Sequence, residues 1–233
     1  MLCAFAPDAN AQTRYLHADT AALIATLPPP PPDDSIAGMA DVQTLLQVQK
    51  DRTPDQAARA RAVDKQNPMT MGLIVFGPKF TKQNLPRTYE FLQQSSNERR
   101  AAISNAKDHW NRVRPYNRDL GIEPCVPKLP SDASYPSGHS AAAACWEVLY
   151  SEAMPEYKTR FAEIRREVMW GRILAGVHYP TDTQAGFLIG ALIGREMLKT
   201  PATRDAIAAM RAEILALLEK NPDAVPKPAE IKN

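Results

Sequence analysis

Proline placement decides more than anything else what this chain can fold into. The 233 residues contain 21 prolines, gathered at a few places. Proline fixes φ and offers no amide hydrogen, so it belongs at helix starts, in turns and in extended segments, not inside helices or central strands. Residues 28–32 are five consecutive prolines and must be extended. Only a short segment precedes them, so the run is expected to pin an N-terminal arm onto the domain.

Between the proline clusters the chain reads as helices. Residues 41–50 and 54–65 have helical propensity and few β-branched runs, while 68–86, richer in Gly and Pro, reads as irregular. Ser95 and Glu98 have capping-box spacing, which predicts a helix running to about Arg114 and closed by Pro115. Residues 116–136 hold Pro124, Pro127, Pro130 and Pro136 and form a loop. Further helices are expected over 138–154, stopped by Pro155, and over 157–174, 180–199 and 202–220, with a frayed tail from Asn221. There is no internal repeat and no convincing period-2 strand. The reading is an all-α, compact helical bundle built as one domain over 12–233, with its core in 23–199 and a C-terminal helix and tail in 202–233.

The charge balance narrows the function. With 28 Lys+Arg against 26 Asp+Glu, net charge is +2, so no global field advertises nucleic acid or a membrane surface. Any anion site must be a local cluster of cations. The most apolar stretch, 186–194, is too short to span a bilayer and reads as buried helix. Residues 4–11 end in an Ala9-Asn10-Ala11 pattern. It resembles the cleavage region of a secretory signal, with 1–11 as its residue; an ordinary terminus is the alternative. Cys3, Cys125 and Cys145 have no metal-ligand spacing, so no metal site is expected. Whether Cys125 and Cys145 pair is open at this stage.

Three groups of residues carry chemistry. Ser137, Gly138 and His139 open an Ala-rich helix, where a capping hydroxyl, free amides and the helix dipole favour an anion. Taken alone, a plain Ser-capped helix fits equally well. His178 precedes Pro180, and Asp182 falls in the first turn that Pro180 starts. A carboxylate four residues on can fix one ring nitrogen of His178 and leave the other as nucleophile or base. Lys107 and Arg114, seven apart, would share a helix face with Ile103 and Trp110. Arg172 lies in line with Phe161, Ile164 and Val168. Cations on apolar stripes are costly unless they meet an anion or a carboxylate.

Together, Lys107-x6-Arg114-Pro115, Pro136-Ser137-Gly138-His139 and Arg172-x5-His178-x3-Asp182 resemble the three-part signature of the type 2 phosphatidic acid phosphatase superfamily. The proline run Leu27 to Pro31, followed by Asp34-Ser35, resembles the class A bacterial non-specific acid phosphatases, and the likeness covers roughly residues 23–199. The family usually has Ser where this chain has Gly171, as the related vanadium haloperoxidases do not. The Tyr179-Pro180-Thr181 insert looks closer to the wider superfamily than to class A.

The resemblance implies an acid phosphatase acting on small phosphate monoesters such as nucleotides, sugar phosphates or aryl phosphates, with no cofactor and sensitivity to vanadate. In that scheme Lys107, Arg114, Arg172, Ser137 and Gly138 hold the phosphoryl oxygens. His178, oriented by Asp182, attacks phosphorus to form a phosphohistidine. His139 protonates the leaving group and then activates water. With ordinary histidine pKa values near about 6.5, the rate optimum is expected on the acidic side of neutrality. The resemblance also implies a periplasmic or secreted location, and phosphotransfer to alcohols is a possible side activity. The apolar helix near 207–218 leaves room for homo-oligomerisation. The alternatives are a vanadium-dependent haloperoxidase-like enzyme and a non-catalytic phosphate-binding protein.

Overall fold

The computed structural model describes residues 13–129 and 131–222. Their secondary structure is ten α-helices in the order α1 Thr20–Ala25, α2 Ile36–Asp51, α3 Pro54–Asp64, α4 Thr70–Phe76, α5 Pro86–Trp110, α6 Pro115–Arg118, α7 Gly138–Ala153, α8 Lys158–Leu174, α9 Pro180–Leu198 and α10 Pro201–Lys220. The only extended pairing among the described residues is an isolated antiparallel bridge between Val113 and Ala133. The all-α expectation holds, and proline explains much of the punctuation. Proline opens α3, α5, α6, α9 and α10, where its missing N–H costs nothing and its φ suits the first turn.

Four local expectations fail, the smallest being that the loop expected over 116–136 opens with the short helix α6, which Pro115 starts. Residues 68–86 contain α4, because Met71, Val75 and Phe76 fall on one face and bury into the core, and that burial overrides the local Gly and Pro content. The predicted capping box at Ser95 is not a helix start. α5 begins nine residues earlier at Pro86. Ser95 is buried within it and donates to the Leu92 carbonyl at 3.1 Å, while the Glu98 carboxylate accepts the backbone N–H groups of Tyr15 and Leu16 at 3.0 and 2.6 Å. Residue spacing mimicked a cap; both side chains in fact serve tertiary structure. α5 also stops at Trp110, with Asn111 in the left-handed region at φ 42°, so Arg114 is not helical with Lys107.

The N-terminal arm is pinned as expected. Leu16, Leu23, Ile24 and Leu27 join the main core, and the Tyr135 hydroxyl donates to the Pro28 carbonyl. The apolar stripe of α10 is used internally: Ile207, Met210, Ile214 and Leu217 are buried in the same core, with α5 and α7 as neighbours. No described helix is long and apolar enough to cross a membrane. Cys125 and Cys145 are both free thiols. The leader at 1–11, Cys3 and the tail beyond 222 lie outside the described residues.

The most extensive helix contact, α7 against α9, sets the site. Gly186, Gly190 and Gly194 recur every four residues on α9, and the alanines 141–144 of α7 are buried. A Cβ on Gly190 would lie 2.6 Å from the Cα of Ala141, and backbone cannot yield as a side chain can. Gly190→Ala is therefore expected to lower stability by about 1–3 kcal/mol through overpacking, although alanine is about 1 kcal/mol the better helix former. Urea unfolding reads this; an unchanged or raised midpoint would mean the two helices are not this close.

Candidate active site

The close α7–α9 packing joins two helix starts. Ser137 caps α7, its hydroxyl accepting the Ser140 N–H at 3.4 Å and the Ser140 hydroxyl at 3.0 Å. The backbone N–H of Ser137 donates to the Asp182 carbonyl at 3.0 Å, tying the start of α7 to the first turn of α9. The Asp182 side chain in turn accepts the Tyr179 N–H at 2.9 Å, so a carboxylate of the helix start also faces His178.

His178 is buried, and its two nitrogens have different surroundings. Nδ1 lies 3.4 Å from Asp182 Oδ2 and 3.5 Å from the Ser134 hydroxyl. Nε2 lies 3.3 Å from Arg114 Nη1. Asp182 is fully buried and well supplied with donors: the Ser134 hydroxyl on Oδ2 and Arg112 Nη1 on Oδ1 at 2.8 Å. Arg112 also reaches Asp41 at 2.9 Å, and Asp41 accepts from the Thr181 hydroxyl and backbone N–H. The guanidinium stacks over the Tyr179 ring, 4.0 Å from its centroid. A chain of buried charges, Asp41–Arg112–Asp182, thus stands behind the imidazole.

On the open side of His178 the cations gather. Lys107, in the last turn of α5, donates to the carbonyls of Ala133 and Ser134 at 2.7 and 3.4 Å. Arg114 donates to the carbonyls of Ser131 and Val177 at 2.7 and 2.9 Å. Neither forms an ion pair among the described residues. Arg172 is completely buried at the end of α8, where one nitrogen donates to Asp64 at 2.7 Å, while Nε and Nη2 have no partner. His139 Nε2 lies 3.3 Å from the Asp64 carbonyl, which can only accept, so Nε2 carries the hydrogen. A cavity of about 490 Å³ reaches this cluster, with Lys107, Gly138 and His139 on its wall.

Burial and like charge set the protonation states. Desolvation, then the Arg114 charge, lowers the Lys107 pKa to about 7. Desolvation, then Arg172, lowers His139 to about 4. Burial, followed by Arg114, Lys107, Arg172 and His139, holds His178 well below its ordinary value. Both histidine shifts favour the neutral imidazole: this suits the nucleophile expected at His178, but for His139, with its pKa lowered to about 4, it departs from the ordinary value assumed from sequence. The shifts share one leading cause, burial, and the neighbouring positive charges add to it.

All eight residues nominated from sequence stand around the cavity or in the shell behind it. Lys107 and Arg114 converge because the left-handed Asn111 turns the chain, not because they share a helix face. Sequence reasoning missed Asp41, Asp64, Arg112, Ser134 and Thr181. Only Arg112 left a signal, a second arginine two residues before Arg114. Gly171 also has a local reason. A Cβ there would lie 2.9 Å from Val63 Cγ2, so α3 occupies the space that the usual serine would need.

The all-α frame sets Lys107, Gly138 and His139 on one cavity wall, with Arg114, Arg172, His178 and the Ser137 cap buried near them; this defines a helical protein with a cation-rich, histidine-bearing pocket whose chemistry suits an oxyanion. The family model of the PAP2 superfamily matches residues 99–206, a span containing all eight nominated residues, and over that span the chain is similar to that superfamily. It is 29% identical over 164 residues to the non-specific acid phosphatase of Salmonella typhi. The match covers 68% of this chain and 65% of the relative, so it spans just under two thirds of that protein's length. The fold is similar to a bacterial vanadium-dependent iodoperoxidase, with a TM-score of 0.57 and 19% identity over 75% of this chain and 52% of the other. It is also similar to a transmembrane PAP2-type phosphatidylglycerolphosphate phosphatase from Bacillus subtilis, with a TM-score of 0.54 and 21% identity over 77% and 90%.

Proposed function

We propose that this protein hydrolyses phosphate monoesters through a phosphohistidine on His178. The observation that carries the reading is the undercompensated cage. Arg172 keeps two buried N–H-bearing nitrogens without partners, Lys107 meets only carbonyls, and Arg114 meets only carbonyls and His178 Nε2, beside an imidazole whose far nitrogen faces Asp182. Buried cations of this kind are stabilised when a phosphate ester dianion, with three oxygens to hold, enters. Curated relatives named acid phosphatases support the same class of reaction.

In the proposed cycle, Arg114 leaves His178 Nε2 for a phosphoryl oxygen, freeing the lone pair. Nε2 attacks phosphorus in line, forming an N–P bond as the ester P–O bond breaks. Nδ1–H stays directed at Asp182, which stabilises the charge left on the ring. Arg172, Lys107, Ser137 and the Gly138 amide hold the equatorial oxygens. His139 gives the leaving alkoxide its proton, then takes one from water as water's oxygen bonds to phosphorus and the N–P bond breaks. A bound phosphoryl dianion raises the low His139 pKa toward the working range.

The test is hydrolysis of p-nitrophenyl phosphate in excess EDTA across pH 4 to 9. Turnover should survive chelation. kcat/KM should fall above pH 7, since Lys107 loses its charge there, and His139 is progressively less protonated at every pH above about 4. Lys107→Arg, whose guanidinium stays charged, should move that alkaline limb up by at least about one pH unit. Activity that needs a divalent metal, or a limb unmoved in the variant, would overturn the assignment. Vanadate- and peroxide-dependent halide oxidation without hydrolysis would move the protein to the haloperoxidase class.

A further inference from the structure

Arg99 has no part in the cycle above, and no nominated motif includes it. It lies in the middle of α5, two turns before Lys107, on the same helix face as Ile103. It is 6% exposed, and its side chain lines the cavity that leads to His139. Its nearest acceptor is the Gly138 carbonyl, 3.4 Å from Nη1. Its Nε is buried without a partner. Among the described residues it forms no ion pair, whereas Arg112, the one other arginine as buried outside the phosphoryl cage, forms two.

An uncompensated guanidinium in a cavity wall is costly unless a ligand supplies the counter-charge. Its place says which part of a ligand. Arg99 reaches the carbonyl of Gly138, the residue next to His139, and shares the cavity wall with Gly138 and His139, whereas His178 is not on that wall. Arg99 therefore stands on the leaving-group side of the site. Around it the wall holds Ser96, Ile103, Ala142 and Trp146, and its other cations, the exposed Arg100 and the half-buried Lys107, are less deeply buried. Burial lowers the Arg99 pKa only to about 10, so it stays charged wherever the enzyme works.

Resting on the hydrolase reading, we propose that Arg99 is a specificity-determining residue that binds a second anionic group, carboxylate or phosphate, on the alcohol being released. The preferred substrates are then phosphate monoesters whose leaving group is itself an anion. Simple alkyl phosphates fill the phosphoryl cage and leave Arg99 unmatched.

Three esters of one chain length separate the possibilities: propyl phosphate, 3-phosphooxypropanoate and propane-1,3-diol bisphosphate. The parent should favour one or both charged esters by about 10- to 100-fold in kcat/KM, the range of a charge-assisted hydrogen bond. The carboxylate and bisphosphate arms tell which anion is read. Arg99→Met should reduce the ratio to near one, and Arg99→Lys should keep part of it. Equal loss on all three esters, or no preference in the parent, would overturn the proposal. A binding arm needs no turnover. By calorimetry, methylenebisphosphonate should bind the parent more tightly than methylphosphonate, and Arg99→Met should erase that difference. If no ester is hydrolysed but the binding difference stands, the hydrolase reading falls and the anion subsite survives; equal binding of the two phosphonates in the parent would remove the subsite.

Discussion

His178→Ala is expected to lower p-nitrophenyl phosphate turnover by at least about 10⁴-fold, because it removes the atom that would bond to phosphorus. The variant should nonetheless fold. Asp182 keeps Arg112, Ser134 and the Tyr179 amide as donors, and Arg114 keeps the Val177 and Ser131 carbonyls. Inorganic phosphate should still bind, since the cage of Lys107, Arg114 and Arg172 is intact, and one imidazole fewer leaves more room. A rise in melting temperature on adding phosphate would report that binding by mass action. Quenching the parent in alkali during turnover of phosphorus-labelled ester should leave label on the protein, and the variant should carry none. Residual turnover within about tenfold of the parent would mean that water attacks phosphorus directly, with His178 serving only to position it.

Helix-forming segments and the first shell of the site were legible in the sequence for one reason: both are local. Pro54, Pro180, Ser137 and Pro155 mark boundaries through their own covalent chemistry, and α3, α7, α8, α9 and α10 start or end within a residue or two of expectation. His178 and Asp182 lie one helical turn apart, so their meeting needs no tertiary knowledge. The misreadings have the opposite character. Ser95 and Glu98 satisfy a local rule, yet Glu98 is taken up by an arm 82 and 83 residues away. Asp41 and Asp64 reach the site from 140 and 108 residues off in sequence. An isolated aspartate in a surface-like stretch gives no sign of being nearly inaccessible. The expected charge of His139 failed for the same reason: a pKa is a property of the assembled cage, and the groups acting on His178, three cations and His139, come from four separate segments.

That long-range support predicts the largest structural effect. Arg112→Met is expected to destabilise the fold by about 3–5 kcal/mol, the usual cost of removing one partner from a buried ion pair. The reason is what it leaves behind. Asp41 and Asp182 are 3% and 0% exposed, and each would lose the arginine it is paired with. Methionine would fill most of the volume and keep contact with the Tyr179 ring, so packing alone cannot account for a loss of that size. Asp41→Asn in the same chain should return part of the stability by removing one stranded charge, and urea midpoints of both single variants and the double variant measure that coupling. Activity should report a second consequence. Arg112 touches neither the cavity wall nor the cage, so ester binding should change little. An Asp182 carboxylate without its guanidinium would hold the His178 ring less firmly, so kcat should fall more than KM rises. Strict additivity of the two substitutions, or a fall confined to KM, would show that Arg112 belongs to the binding surface and that His178 is oriented by Asp182 without it.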